Sequence, residues 1–370
     1  MTEGIKMLNK ERNYGIDVLR MVSMFMVVVL HVLGRGGVLQ ATKDLSLNYW
    51  VSWSLEIAAL CAVNCYAIIS GYVGYGRKTK YSNLIYLVFC VIFYMVVLTI
   101  LGYFLNTDTS FKDVVKSILH MRKEGYWYVK AYFCAFFFFP HINFIVEKYE
   151  EKRLYILIGV MFVLFSVIPT LTQADVFSVK SGYSPFWLMI MYFVGAVMKK
   201  YDNGSSEAKN KYLYLYLFMI VLTLLSKVGI TFITQKLFNK EIFSNFLISY
   251  ISPTIVFSGI FLVKFFSKVN LNKFMKKIVA VMSPLTFGIY LAHTQYFAWR
   301  FLEKRFIAFS NMNPPLLVIS VILTALIIYM ICSFVDYIRQ SVFKMIKIDH
   351  ISKQIERKLL TIKENDISND

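Results

Sequence analysis

The chain is poor in charge. Only 17% of its 370 residues are Asp, Glu, Lys or Arg, while 58% are hydrophobic, and mean hydropathy is +0.57. A soluble domain carries about 25% charged residues, so a soluble fold is excluded. Cysteine is also scarce: Cys61, Cys65, Cys90, Cys134 and Cys332 all fall inside apolar runs, where neither a zinc site nor a secreted disulfide framework forms. There is no internal repeat, no low-complexity tract and no polar stretch of domain size. Without a repeated half or paired broken helices, the inverted-repeat plan of many transporters is disfavoured. The first apolar run is not a cleaved signal peptide. It is long enough to span a membrane, carries Asp17 and Arg20, and lacks a small-residue cleavage site.

What the sequence does have is a series of apolar runs, each about 20 residues long, the length that spans a bilayer. They predict an all-α, polytopic membrane helix bundle of ten helices near 14–33, 50–72, 83–104, 126–146, 154–172, 184–198, 212–233, 245–266, 278–301 and 315–338. The longest loop, about 105–125, starts with Thr107-Asp108-Thr109-Ser110 and is expected to hold a small surface helix. The net charge of +18 is distributed as a membrane topology would require rather than as a nucleic-acid surface. With the N-terminus inside, 25 Lys and Arg fall on the inner side and 11 on the outer, as the positive-inside rule demands. Both termini are therefore expected in the cytoplasm. Residues 1–340 read as one membrane domain and 341–370 as a basic amphipathic tail. In that tail Ile348, Ile351, Ile355, Leu359 and Ile362 form an apolar stripe suited to the anionic inner leaflet.

One stretch organises the rest. Between Tyr14 and His31, Asp17, Arg20 and His31 share a helical stripe, with ten uncharged residues separating Arg20 from His31. At about 1.5 Å per residue, His31 lies roughly 16 Å beyond Arg20. Charge and imidazole on one face of a membrane helix are costly and usually functional. Counting from the expected faces, His31, Glu56 and His293 reach nearly the same depth in the outer half, which points to a polar cavity there.

Four elements carry a resemblance to a known family. The Asp17-Val18-Leu19-Arg20 start with His31 eleven residues later resembles the first-helix motif of acyltransferase family 3, bacterial integral-membrane O-acyltransferases. Ile69-Ser70-Gly71-Tyr72, with the basic loop Arg77-Lys78-Thr79-Lys80 after it, resembles that family's next element. Trp127-Tyr128 through Pro140 resembles its fourth helix. Ser283 through Gly288-Ile289-Tyr290-Leu291-Ala292-His293 resembles its late helix. Two positions depart from the pattern: Gly125, where many members carry His, and Lys80, where many have a second Arg. Lys offers a phosphate only a point charge, not a bidentate grip.

The resemblance implies transfer of an acyl group, usually acetyl from acetyl-CoA, to a sugar hydroxyl of a cell-surface or lipid-linked glycan in a bacterial plasma membrane. Imidazole is the side chain best matched to deprotonating a hydroxyl near neutral pH, so His31 is the expected general base or, alternatively, a transient acyl carrier. Arg20, oriented by Asp17, would face the thioester or pyrophosphate of CoA. Ser70, Arg77, Lys78 and Lys80 complete the expected donor site, Glu56 and His293 the catalytic set, and Trp127 and Tyr128 the sugar contacts. No metal and no nucleic acid are implied.

Structural readings stand beside these. Glu56 could pair with Arg35, Asp17–Arg20 could be an interfacial ion pair, and Ser70-Gly71 could serve close helix packing. His293 could bond across helices, the basic loop could set topology alone, and Trp127 and Tyr128 could be belt aromatics. Lys227, mid-span, has no assigned role, and His120, His141 and His350 fit no pattern. Some family members carry a fused extracytoplasmic esterase-like domain. This sequence ends at Asp370 with no such segment, so direct acylation of the acceptor or a separate acyl-accepting partner is expected. The competing class is a transporter or flippase for lipid-linked sugars, and a third is a sensor with a degenerate site.

Overall fold

In a computed structural model, described for residues 12–105, 110–119, 125–202, 209–240 and 242–367, the chain is a helix bundle. Thr107, Asp108, Thr109, His120 and the side chain of Ile362 lie outside the described residues. Seven helices among the described residues are long and apolar enough to cross a membrane, eight if one bent pair counts as a span. The protein is thus a multi-pass membrane protein, in which seven or eight of the ten expected spans are matched by helices of spanning length.

The differences have local causes. The fourth expected helix is two, α5 (Trp127–Phe136) and α6 (Phe139–Lys148), bent by 54°. Pro140 opens α6 and cannot donate to the Phe136 carbonyl. The eighth begins at Pro253 rather than 245, as α10 (Pro253–Ser267), because proline suits a first helical turn. The ninth comprises α11 (Lys273–His293) and α12 (Tyr296–Leu302). Gln295 caps α12, its side chain accepting from the Phe297 N–H at 2.8 Å.

Two helices form the centre: α1 (Tyr14–Leu33) and α2 (Leu47–Gly74), with 61% and 72% of their apolar windows buried. Asn13 starts α1 by accepting from the Ile16 N–H at 3.1 Å, a cap that satisfies an orphan donor. At Cys61, α2 breaks, and the Ala58 carbonyl takes the Tyr216 hydroxyl at 2.9 Å. Helix α2 lies against α8 (Pro185–Lys200) at backbone contact. A Cβ on Gly71 would stand 1.9 Å from the Tyr192 carbonyl oxygen, and one on Gly195 2.0 Å from that of Ile68. Small residues permit such approach between membrane helices, so Gly71 has a packing role. By contrast α7 (Glu151–Thr172) and α9 (Lys209–Phe238) bury only 22% and 17% of their apolar stretches and offer the rest outward.

Helix ends define two faces. On the terminal face the start of α1 meets the end of α10, Asn13 Nδ2 donating to the Ser267 carbonyl at 2.9 Å. Here also α14 (Ile348–Ile367) lies against α3 (Tyr81–Leu105). Ile348 is buried and Ile351 and Ile355 half-buried, so this apolar stripe covers α3 as far as Ile355, while Leu359 is exposed. Glu356 accepts from the Tyr81 N–H at 2.6 Å. The long α13 (Pro314–Met345) holds a buried pair, Arg339 Nε to Asp336 at 2.6 Å, with Tyr94 donating to Asp336 at 2.8 Å. The opposite face gathers the end of α1, with the Lys304 N–H donating to the Arg35 carbonyl at 2.9 Å. The loop after α3 holds the surface helix α4 (Phe111–Ile118). Asp113 in α4 accepts from Tyr296 at 3.1 Å and Arg300 at 3.2 Å. The Ser110 hydroxyl, offset in part by desolvation, holds the Asp113 carboxyl down to about 2.

Candidate functional site

At the far end of α1, His31 meets His293 of α11, with Nδ1 and Nε2 2.8 Å apart. His293 Nδ1 is 2.6 Å from the Ile289 carbonyl. A carbonyl only accepts, so this Nδ1 carries the hydrogen and donates. In a neutral ring the other nitrogen, Nε2, is then an acceptor, and His31 Nδ1–H donates to it. The basic lone pair of His31 is left on Nε2. The ring of Trp299 stands edge-on to His31, centroids 4.7 Å apart.

Two cavities adjoin His31. The larger, about 640 Å³, lies toward the opposite face and is lined by His31, Glu56, Trp127, Tyr250, Trp299 and Arg300 among others. The smaller and more apolar one, about 50 Å³, lies deeper, among Met24, Val27, His31, Tyr66, Tyr128 and Phe287. His31, Leu30, Trp127, Tyr250 and Tyr290 border both. Glu56 does not pair with Arg35, which binds Glu303 at 2.7 Å and lies 5.4 Å from the Trp299 ring centre.

The remaining expected site residues are near the terminal face. Asp17 accepts from Arg20 at 2.8 Å, from Arg12 at 2.5 Å and from Ser283 at 3.3 Å. The Arg20 side chain keeps 29% of its exposure. Tyr66 on α2 donates to the Arg20 carbonyl at 2.8 Å, and Ser70 to the Tyr66 carbonyl at 2.9 Å. The loop after α2 turns at Gly76, whose φ of +72° is open to glycine at no steric cost. It presents Arg77, Lys78 and Lys80 exposed; Arg77 and Lys78 form no ion pair among the described residues. The structure therefore brings His31, His293, Glu56, Trp127 and Tyr128 together and leaves Asp17, Arg20, Ser70 and the basic loop as a second group. Arg20 and His31 are about 16 Å apart along α1.

An acyltransferase domain family matches residues 13–333. The chain belongs to the acyltransferase 3 family. No curated protein and no solved structure matches it. The match runs from the cap of α1 well into α13, so both residue groups of this acyltransferase 3 protein lie within it.

Sequence reasoning missed several residues around His31. Trp299, Tyr183, Tyr250 and Arg300 line the larger cavity and come from loops or short helices far apart in sequence. A continuous ninth helix over 278–301 would carry Trp299 and Arg300 on past His31, and the break at Thr294-Gln295 instead sets the Trp299 ring against it. A signal existed only for the break: Gln295 is a polar residue just past an apolar run.

Proposed function

We propose that the protein transfers an acyl group, acetyl in the first instance, from acyl-CoA to a hydroxyl of a cell-surface or lipid-linked glycan in a bacterial plasma membrane. The observation that carries this reading is the His31–His293 pair clamped on the Ile289 carbonyl, at the junction of two cavities. The excess of basic residues on the terminal side puts both termini in the cytoplasm. Ten crossings, three of them by short or broken helices, satisfy that arrangement.

On this reading His31 Nε2 takes the proton of the acceptor hydroxyl as its oxygen attacks the thioester carbonyl. The C–S bond then breaks, and the imidazolium returns the proton to the departing sulfur, giving CoA thiol and the ester. His293 fixes the tautomer of His31 and shares its developing positive charge, as an orienting partner does for a catalytic histidine. Acyl-CoA is a substrate here and is drawn to the terminal face. Arg77, Lys78 and Lys80 attract its phosphates through charge-assisted contacts, and Arg20, held by Asp17, faces the pyrophosphate or the arm beyond it. Ser70 and Tyr66 line the way inward, and the apolar cavity beside Tyr128 suits a short acyl chain. The larger cavity accepts the sugar, with Trp127 as a stacking surface.

The test is acetyl-CoA consumption by purified protein in liposomes with a bacterial glycan fraction as acceptor. His31→Ala should lower kcat by at least about 10²-fold while the thermal melt stays unchanged. CoA neither bound nor released by wild-type protein, with competent acceptor fractions present, would turn the reading toward a flippase.

A further inference from the structure

The larger cavity holds a carboxylate with nothing to bind. Glu56 lines it, one of its oxygens is buried without a partner, and the side chain makes no hydrogen bond or ion pair among the described residues. Buried carboxylates are normally paired or hydrogen-bonded, since desolvation of an unmet acceptor is expensive. The guanidinium groups on the same wall are already engaged: Arg35 with Glu303 at 2.7 Å and Arg300 with Asp113 at 3.2 Å. Glu56 is thus the acidic group of the wall that still lacks a partner among the described residues, and a partner would come with the acceptor.

We infer that Glu56 anchors the acceptor by receiving hydrogen bonds from two neighbouring hydroxyls of a neutral pyranose, whose C–H face lies on the Trp127 ring. This inference rests on the acyl-transfer reading and specifies the substrate class of that site. A carboxylate has two oxygens that accept side by side, the spacing at which a ring presents adjacent hydroxyls. The aromatic lining of Trp127, Tyr183, Tyr250 and Trp299 supplies broad apolar faces but no acidic group. An ammonium-bearing sugar would instead pair with Glu56 as an ion, an outcome the test below separates from hydroxyl binding. An acidic sugar fits less well, because the two guanidinium groups are already paired and Glu56 would repel it. About 640 Å³ is within the size range of ligand pockets and has room for a sugar ring with attached units. Holding the ring at Glu56 would present a third hydroxyl to His31 Nε2, so Glu56 is a binding and positioning group rather than a proton carrier.

The test compares wild type, Glu56→Gln and Glu56→Ala in liposomes, with acetyl-CoA and two forms of one bacterial glycan fraction. One form is untreated. The other is oxidised with periodate and reduced with borohydride, which opens rings between adjacent hydroxyls yet leaves alcohols as nucleophiles. With the untreated glycan, Glu56→Ala should raise the acceptor KM by about tenfold to a hundredfold, the worth of hydrogen bonds to a charged group. Glu56→Gln should raise it less, since one oxygen still accepts. The KM for acetyl-CoA should not change in either variant. With the treated glycan, wild type should fall to the level of Glu56→Ala. Wild type and Glu56→Ala showing one acceptor KM, or a loss confined to kcat, would overturn the inference. So would a preference for amino-sugar acceptors abolished by Glu56→Gln. Absence of any acetyl transfer by wild type would instead count against the acyl-transfer reading itself.

Discussion

The Ile289 carbonyl, the two rings of His293 and His31, and the cavity beyond them form a chain in which each hydrogen position follows from the one before. Under the proposed chemistry His293 is a positioning residue whose removal has a defined effect. In His293→Ala, His31 Nδ1 loses its acceptor and either ring nitrogen can hold the hydrogen, so the base is misplaced for part of the time. We expect kcat to drop by about tenfold to a hundredfold, as when an orienting partner is lost, with the acetyl-CoA KM unchanged. His293→Gln, whose amide oxygen can still accept from His31, should recover part of the rate. Equal losses in both variants would mean that His293 acts through packing alone. At this scale the sequence was informative about His31, His293 and Glu56, because counting residues from each membrane face put them at one depth. It said nothing about Trp299 or Tyr250 beside them. Their proximity arises from long-range contacts, which leave no periodicity to read.

Among the helices, lengths were legible and breaks were not. Hydrophobic runs mark where a chain can be buried, and all the expected segments contain helix. A break depends on where freed backbone groups find partners, as the Ala58 carbonyl does in Tyr216, and that partner is 158 residues away. The contact of α2 with α8 shows the same dependence on distant partners. Gly195 sits in an apolar run with no turn signal, yet a methyl group there would enter the Ile68 carbonyl at 2.0 Å. Gly195→Ala should therefore force the two helices apart, costing about 1–3 kcal/mol as overpacking does. A lower melting temperature in detergent would register it. An unchanged melt would show that the helices can separate freely. Because α2 carries Glu56 at one end and the basic loop at the other, the same change should weaken both donor and acceptor binding.

At the scale of the whole molecule, the two residue groups are set apart across the bundle, with α1 spanning the distance between them. The sequence showed this separation through the eleven residues from Arg20 to His31, though not that an apolar cavity lies along the way. Under the proposed chemistry the nucleotide stays at the terminal face while the ester forms near the other. The distance of about 16 Å then has an electrical meaning. The arm of CoA carries the thioester across that distance, and beside His31 the sulfur exchanges its acyl group for the hydroxyl proton. Neutral thioester and alcohol become neutral thiol and ester, so the cycle moves no net charge. One whole charge crossing a potential of about 100 mV would change the energetics by about 2.3 kcal/mol. In proteoliposomes clamped with a potassium gradient and valinomycin, the initial rate of acetyl transfer should be the same at zero and at about 100 mV of either sign. A rate that follows the voltage would reveal an uncompensated charge in the step. If the proposed chemistry holds, a cell could keep decorating its surface after its membrane had been depolarised, for as long as acyl-CoA lasted.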